Sequence, residues 1–385
     1  MSQVAVTKAS SYAPAEIEQA LERGLRLVYP EGLAHLIKPG AKVALKVNML
    51  MGKGPERAIT THPAVVRAVC KAVLSCGGIP LIIDSPGGPY TPAMLKSAYE
   101  RCGFAEVARE TGALLNFDTA VEKVGRATGT LVNAAELLAP AVQADVLINL
   151  PKLKTHGLTV MTCAVKNMFG LIPGLTKIDY HMRMPEVPDF CAALVGIAEL
   201  AQPELTIVDA VVAMEGEGPS GGKPKELGYL LVGCNMHAVD MVAAELLGIK
   251  PEQVPTIVAA RQASPRLAPL NLLDVVVLGE ALTPHKVRLP VAAKNTNLFE
   301  KTLPKPAADV LALYLRPRPR FVRQKCTACG ICVRSCPPRA LTARKKDVPE
   351  LNLALCIRCF CCQELCPEHA VEVERSLLGR ILTRF

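Results

Sequence analysis

Residues 42–83, KVALKVNMLMGKGPERAITTHPAVVRAVCKAVLSCGGIPLII, carry the pattern that decides the fold. The apolar runs Lys42–Val47 and Ile79–Ile83 each predict a buried strand. Between them, Thr61–Cys76 repeats apolar residues at helical spacing and is followed by a glycine pair, which is typical of a helix end. A strand, a helix and a second strand form one βαβ unit, which favours a parallel sheet.

Apolar runs later in the chain continue the alternation of strands and helices. We predict strands at Val146–Ile148, Leu205–Val208, Tyr229–Val232 and Val275–Leu278, and a helix at Met241–Leu247 that ends at a glycine. This alternation predicts an α/β fold with a mostly parallel sheet and flanking helices. We assign residues 1–300 to that domain.

The composition narrows the class of protein. The chain has 385 residues, of which 50% are hydrophobic, so it is long enough for more than one packed domain and is not expected to be disordered. No uncharged apolar run is long enough to cross a membrane, and the first residues lack a secretory signal. We therefore expect a cytoplasmic protein. Because the cytoplasm is reducing, the 15 cysteines need an explanation other than disulfides.

Charge and cysteine are distributed unevenly along the chain. Residues 1–300 contain 28 basic and 28 acidic side chains, so the net charge of +9 lies in the last 85 residues, together with nine of the 15 cysteines. Such a shift predicts a domain boundary. We assign the proline-rich residues 301–320 to a linker and residues 321–375 to a small α+β domain. Residues 376–385 form an amphipathic tail, which either packs on the protein body or lies on a membrane surface.

The C-terminal cysteines form two runs of identical spacing, each followed by proline. Cys-x2-Cys-x2-Cys-x3-Cys-Pro begins at Cys326 and again at Cys356, which is the run that holds [4Fe–4S] clusters in bacterial ferredoxins. Zinc is the alternative, but zinc sites rarely use three cysteines at this spacing. Since the fourth cysteine of each run crosses to the other cluster in such modules, we predict two [4Fe–4S] clusters. The ligands are Cys326, Cys329, Cys332 and Cys366 for the first cluster, and Cys356, Cys359, Cys362 and Cys336 for the second.

Two further features of this domain bear on its partners. Cys361 is a ninth cysteine, either a buried free thiol or an alternative ligand or redox-active thiol. The basic side chains favour docking of an acidic electron-transfer protein of the ferredoxin or flavodoxin type, or of a redox enzyme, or they form a solvated face that balances the cluster charge. Nucleic acid is not expected, because aromatic residues make up 4% of the chain and do not alternate with these charges. The basic residues are Arg316, Arg318, Arg320, Arg323, Lys325, Arg344, Lys345 and Lys346.

Polar residues in the α/β domain follow the predicted strands directly. Asn48, Asp84, Asn149 and Asp209 each stand at a strand end, where open α/β sheets bind ligands. Lys46 and Asn48 belong to the same edge. These positions predict a crevice at the carboxyl ends of the strands.

The stretch PKLKTHGLTVMTCAVKNMFG, residues 151–170, supplies the cations of this crevice. In an extended chain Lys152, Lys154 and His156 point the same way, and a helix beginning near Leu158 brings Thr159, Thr162 and Lys166 to one face. Together with Asn167 they predict a site for a small anionic ligand, a carboxylate or a phosphate. A solvated loop with surface lysines is the alternative. We take Lys154, His156 and Lys166 as candidate proton donors.

The glycine-rich loop that begins at Asp209 offers two alternatives. Its backbone N–H groups can form an anion nest, or Asp209, Glu215 and Asp240 can hold Mg²⁺. His181 is a further candidate acid, or else a structural residue. The candidate ligand-binding residues are Lys46, Asn48, Asp84, Lys152, Asn167, Asp209 and Glu215.

At these residues the sequence resembles the DUF362 family of α/β proteins. The matching segments are ALKVN, TTHP, IDSPGG, NLPKLKTHGLTVMTCAVKNMFG, DAVVAMEGEGPSGG and VDMVAAELLGI, and they extend from about Lys46 to Ile249. Many members are similar to this chain in carrying a two-cluster ferredoxin module whose second run reads like residues 356–367. The stretch Cys234-Asn-Met-His237 departs from the family pattern. The resemblance implies the fold and the clusters, but no substrate.

Three hypotheses about function follow. The first is a ferredoxin-linked oxidoreductase that passes electrons to the small anionic ligand. The second is a ferredoxin-like electron carrier or docking module for another redox enzyme, and the third is a metallocluster maturation factor. No dinucleotide-binding G-x-G-x-x-G follows a strand, so the sequence does not support bound NAD, while flavin stays open.

Overall fold

The computed structural model describes residues 1–126, 129–263, 268–269, 271–292 and 317–374. Its described part is a mixed, mostly parallel sheet with helices on both faces, followed by a small strand–helix module. The strands are β1 (Ser2–Lys8), β2 (Lys42–Val47), β3 (Ile79–Ile83), β4 (Leu114–Leu115), β5 (Val121–Gly125), β6 (Ala134–Leu138), β7 (Val146–Leu150), β8 (Lys152–His156), β9 (Val160–Thr162), β10 (Leu205–Glu215), β11 (Lys223–Gly233), β12 (Val275–Gly279), β13 (Arg318–Phe321), β14 (Leu341–Thr342), β15 (Glu350–Leu351) and β16 (Val371–Glu374).

The α-helices of the described part lie mostly between the strands of the sheet. They are α1 (Pro14–Val28), α2 (Pro63–Ser75), α3 (Pro92–Arg101), α4 (Phe104–Thr111), α5 (Ala139–Val142), α6 (Ala164–Met168), α7 (Thr176–Arg183), α8 (Val187–Ala201), α9 (Met236–Leu246), α10 (Pro255–Ala263), α11 (Ile331–Arg334) and α12 (Cys361–Glu364). None of these helices is long and apolar enough to span a bilayer. The predicted α/β fold with a mostly parallel sheet is confirmed.

The strand order of the main sheet places a crevice beside β2. The order is β12-β1-β11-β10-β7-β2-β3-β4. Among these eight strands, β11 alone is antiparallel to both of its neighbours. From β2 the chain passes to β3 and β4 on one side and then returns to β7 on the other. At such a reversal the connections leave in opposite directions, so the carboxyl ends of β2 and β7 border an open crevice.

The stretch after β7 differs from its predicted conformation. The helix expected from Leu158 is wrong: β8 and β9 form an antiparallel hairpin, and α6 begins only at Ala164. β8 also pairs with β10, and the hydrogen bonds between these two strands give the backbone N–H and C=O groups of β8 their partners. Thr159, Val160 and Thr162 are β-branched, which favours the extended conformation. Thr159 is therefore not placed on a helix face with Lys166.

Apolar side chains fill both faces of the sheet, and a few polar side chains interrupt them. All five residues of β7 are buried. Within this layer Lys46 of β2 is directly opposite Asn149 of β7, and both are fully buried. Burial of a polar side chain is costly unless it has partners, so these two positions mark a polar site inside the core.

The C-terminal module begins earlier than predicted. β13 already pairs with β16, so residues 318–320, which we assigned to the linker, belong to the module. The rest of the predicted linker up to residue 316, residues 293–300 of the first domain and the predicted tail at 376–385 lie outside the described residues. The module's other ladder joins β14 to β15.

Candidate functional site

Four cysteines of the C-terminal module surround one cavity. Cys326, Cys329 and Cys332 of the first run line it together with Cys366, the last cysteine of the second run. The loop bends tightly around this cavity because Ala328 has a left-handed backbone conformation, with φ of 53°. Burial, and then the neighbouring thiols of Cys366 and Cys329, raise the pKa of Cys332 to about 11.

The fourth cysteine of the first run lies with the other group. Burial is the main cause of the raised pKa of the Cys336 thiol, and charge on Cys359 and Cys356 adds to it. The Cys362 thiol also has a raised pKa, through burial and through Cys359 and Cys356. The first cavity therefore takes three cysteines from the first run and one from the second, and Cys336 interacts with Cys356 and Cys359 of the second run.

This donor set fits an iron–sulfur cluster. Thiolates are soft ligands that suit iron in a cubane, and a cavity bordered by four of them provides the Cys₄ ligation that [4Fe–4S] clusters require. The charged residues of the same module are largely paired with each other. Arg320 and Lys325 both contact Glu372, at 2.6 and 2.9 Å, so the basic surface is smaller than the sequence suggests.

A second cavity, of about 100 Å³, lies between the α/β domain and this module. Its base is an ion pair that includes the buried Lys46 of β2: Lys46 Nζ lies 2.9 Å from Asp84 Oδ1. Asn167 Nδ2 donates to Asn149 Oδ1 at 2.8 Å, and Asn167 Oδ1 accepts from Asn48 Nδ2 at 2.9 Å. These bonds hold the strand ends of β2, β3 and β7 against α6.

Three further lysines line this crevice without a carboxylate at bonding distance. Lys154 Nζ donates to Asn48 Oδ1 and to the Ile59 carbonyl, at 2.8 and 2.7 Å. Lys177 is half-buried, with its ammonium group turned inward onto the carbonyl and hydroxyl oxygens of Ser85. The Lys166 side chain makes no hydrogen bond or ion pair with any residue that the structure describes.

Burial sets the protonation of these lysines. Burial, and then the ammonium group of Lys166, lower the pKa of Lys154 to about 7. Burial also lowers the pKa of Lys177 to about 7, although Asp84 opposes the shift. Both amines therefore change charge near neutral pH, where a proton donor is most effective.

The C-terminal module supplies the opposite wall. Cys361, Glu364 and Leu365 line the crevice. Leu365 fits because Gly87 lacks a side chain: a Cβ atom there would lie 2.2 Å from Leu365 Cδ2. Lys53 Nζ donates to the Pro367 carbonyl at 2.9 Å, which fixes the same contact.

An imidazole and a carboxylate meet across this domain contact. His156 Nε2 lies 3.2 Å from Glu364 Oε1, and His156 Nδ1 accepts the backbone N–H groups of Leu158 and Thr159. Because Nδ1 is an acceptor, the neutral ring carries its proton on Nε2, toward the carboxylate. Burial lowers the pKa of His156 to about 4, which keeps the ring neutral at pH 7. Burial raises the pKa of Glu364, but His156 and Lys166 outweigh it and lower that pKa to about 2.

The other predicted residues lie outside the crevice lining. Lys152 Nζ pairs with Asp209 Oδ2 at 2.8 Å in the core, and Glu215 pairs with Arg288 at the same distance. Asp240 accepts the backbone N–H of Ala164 at the start of α6. The magnesium alternative is wrong, since these three carboxylates have separate partners. Among the described residues no three His, Cys, Asp or Glu side chains are placed to hold a single metal ion such as Mg²⁺, as distinct from the multi-iron cluster that the cysteine cavity fits.

Sequence reasoning missed several residues of the crevice. Lys177 was not considered, although its helical spacing to His181 was a usable signal, since both face the cavity from α7. Thr162 was not missed: the sequence placed it with Lys166 and Asn167, and it lines the cavity with a buried hydroxyl that has no hydrogen-bond partner among the described residues. Glu364 carried no signal, because its partner lies more than 200 residues earlier in the chain.

The lowered pKa of Lys154 predicts how stability depends on pH. The pKa falls from 10.5 to about 7 in the folded chain, so the unfolded chain binds more protons between those values. Stability from this group therefore rises with pH through that window, and the cost of burying its charge is fully present below it. We expect the unfolding free energy of the wild type, relative to Lys154→Met, to increase between pH 6 and about 9. Denaturant titrations at both pH values measure it, and a difference that is constant or falls would contradict the assignment.

The cysteine cavity and the module around it define a protein of the iron–sulfur, ferredoxin-like class. In agreement, the model of the family described as "4Fe-4S binding domain" matches residues 319–342. The model described as "Domain of unknown function (DUF362)" matches residues 43–245, more than half of the chain. The chain belongs to the DUF362 family, which confirms the resemblance found in the sequence.

Two known proteins show similarity to this chain. The thylakoid-associated protein sll1697 of Synechocystis sp. is 34% identical over 279 residues, which cover 69% of this chain and 84% of that protein. The lactate racemase apoprotein from Thermoanaerobacterium thermosaccharolyticum is 15% identical, with a TM-score of 0.40 over 62% of this chain and 56% of that protein. A TM-score this low supports no inference about activity.

Proposed function

We propose that this protein passes electrons through two [4Fe–4S] clusters to a small anionic ligand in the crevice between its domains. The observation that carries the proposal is that the crevice and the second group of cysteines are separated only by the segment that contains Cys361 and Cys362. Cys361 lines the lysine-rich crevice and stands directly beside Cys362, one of the predicted ligands of the second cluster. A ligand in the crevice would therefore lie next to the second group of cysteines.

The residues that would hold the clusters form the two crossed groups described above. Cys326, Cys329, Cys332 and Cys366 would hold the first, and Cys356, Cys359, Cys362 and Cys336 the second. When bound, the clusters supply one electron at a time. The chain's own contribution is to hold the ligand, neutralise its growing negative charge and provide protons.

The lysines suit these tasks. Lys154 and Lys177 have a pKa of about 7, so each can give up a proton at neutral pH and be reprotonated. The Lys166 side chain lines the crevice without a hydrogen-bond or ion-pair partner among the described residues, so it is available to bind the ligand. His156 is neutral and buried, so we assign it the orientation of Glu364 and not proton donation.

Electrons would enter from the other end of the module. Cys329 is exposed, whereas Cys361 is buried at the crevice and Cys362 is buried in the core of the module. An acidic electron-transfer protein could approach Cys329, whose cavity the exposed Arg344 also lines. A pure carrier that docks another redox enzyme is the second candidate, because the same exposed cysteine would also permit electrons to leave. Maturation of another metalloenzyme is a weaker alternative, and location in the cytoplasm stays a prediction.

The proposal is tested on anaerobically reconstituted full-length protein. The clusters are reduced, and reoxidation by fractions of small cellular metabolites is followed by visible absorption. We expect Lys166→Met to slow reoxidation by an active fraction about tenfold or more without changing iron content, because one charge that favours the reduced ligand is lost.

Lys38→Met is the matched control, since Lys38 is an exposed lysine that does not line the crevice. It should reoxidise at the wild-type rate. Equal rates in the wild type and Lys166→Met would remove the crevice from the electron path and leave the carrier function.

A further inference from the structure

We propose that the crevice ligand is a compact dianion with a short carbon body, the size and charge of a four-carbon dicarboxylate. This inference rests on the proposed function for the site and adds the chemical class of its ligand. It follows from the charge balance of the walls, a polar atom without a partner, and the size and polarity of the space.

The charged groups that line the crevice do not balance one another. Lys46 and Asp84 are 2.9 Å apart and neutralise each other at the base of the crevice. The remaining charged groups of the lining are Lys154, Lys166, Lys177 and Glu364. With all three lysines protonated and the carboxylate ionised, two positive charges are left, because burial lowers the pKa of His156 and of the lining residue His181 to about 4 and keeps both rings neutral.

Lys154 and Lys177 have no carboxylate partner among the described residues of the crevice that would neutralise their charge. The hydrogen-bond acceptors of Lys154 and Lys177 are amide, carbonyl and hydroxyl oxygens, and none is a carboxylate. Buried ammonium groups are usually paired with an anion, since desolvating an unpaired charge is costly. The Thr162 hydroxyl is buried, faces the same space and has no hydrogen-bond partner within the described structure. A buried hydroxyl without a partner indicates a ligand that provides one.

The size of the crevice and the polarity of its lining restrict the ligand further. A cavity of about 100 Å³ accommodates a molecule of several heavy atoms. Leu50, Phe169, Leu175, Ile178 and Leu365 form much of its lining. These side chains favour a carbon body between the anionic groups, so a dicarboxylate fits the walls better than inorganic phosphate does.

Binding of a dianion should take up protons. Lys154 and Lys177 are partly neutral at pH 7.5, because the pKa of each is lowered to about 7. A bound dianion raises both values, so protons enter with the ligand and affinity falls as the pH rises above neutrality.

The experiment uses succinate as the probe and the cluster-loaded full-length protein under anaerobic conditions. Isothermal titration calorimetry in two buffers of different ionisation enthalpy measures both affinity and proton uptake. We expect succinate to bind about tenfold or more tightly than butyrate, which carries a single charge, and also more tightly than inorganic phosphate. Proton uptake is expected at pH 7.5.

Variants separate the site from the rest of the surface. Lys166→Met should weaken succinate binding about tenfold, Lys166→Arg should retain most of it, and Lys38→Met should leave it unchanged. Equal affinity for butyrate and succinate, tighter binding of phosphate, or unchanged binding by Lys166→Met would overturn the inference.

These outcomes are distinct from failure of the proposed function. Calorimetry requires no electron transfer, so succinate binding with no electron path to the crevice would contradict the proposed function alone. Conversely, clusters that are reduced and reoxidised normally while succinate fails to bind would contradict this inference alone.

Discussion

Replacing Cys366 with alanine is expected to remove half of the bound iron, about four of eight atoms per chain, and to disrupt the cluster held by the other cysteine run. The physical reason is the crossed grouping. Cys366 lines the cavity of Cys326, Cys329 and Cys332, although it stands 30 or more residues later in the chain. Removing one of four thiolates leaves a cubane iron without its ligand.

Double variants decide which cysteines share a cluster. If Cys366 and Cys326 share one, Cys366→Ala with Cys326→Ala should lose no more iron than either single variant. Cys366→Ala with Cys356→Ala should then lose both clusters. An uncrossed arrangement gives the opposite result for the two pairs. Iron and sulfide analysis with electron paramagnetic resonance of the reduced protein measures the outcome, and Cys361→Ala, which alters a cysteine outside both groups, should keep both clusters.

The loss of Asp209 is expected to have the largest effect on stability. Its carboxylate is fully buried and accepts hydrogen bonds from Lys152 Nζ, the Tyr12 hydroxyl and the His62 backbone N–H, each at 2.8 Å. Asp209→Ala leaves the ammonium group of Lys152 buried without its counter-charge. We expect this change to lower the free energy of unfolding by about 3–5 kcal/mol.

Two comparisons test the physical cause of that loss. Glu18→Ala removes an exposed ion pair with Lys71 and should cost less than about 1 kcal/mol. The double variant Lys152→Met with Asp209→Leu removes both buried charges and should recover part of the stability. Anaerobic denaturant unfolding of the full-length protein measures all three. If Asp209→Ala costs no more than Glu18→Ala, the pair does not stabilise the core as we infer.

Some predictions from the sequence depended on local spacing, and the structure agrees with these best. The βαβ unit at 42–83 is present, with the predicted helix at Pro63–Ser75 beginning two residues later than expected. The turn after Gly157 was different, because pairing of β8 with β10 decides the conformation of residues 152–162. Such pairing joins residues about 60 positions apart, which helical periodicity within one segment does not detect.

The predictions for the crevice also held in one part and failed in another. Lys46, Asn48, Asp84, Lys154, Lys166 and Asn167 line it as the sequence suggested, because parallel strands place their carboxyl ends at one edge. Lys152, at the position two before Lys154, has its ammonium group on Asp209 instead. The alternation of side chains along a strand was insufficient here, since the two lysines meet different neighbours across the sheet.

The sequence by itself determined the ligand chemistry of the C-terminal module, the α/β fold and the family, because these depend on residue type at short, fixed spacing. Only the tertiary structure decided that the module closes the crevice, that Glu364 faces His156, and which lysines lack a carboxylate partner. Those features depend on contacts between distant segments, and the charge of a buried lysine is set by what the whole fold places around it.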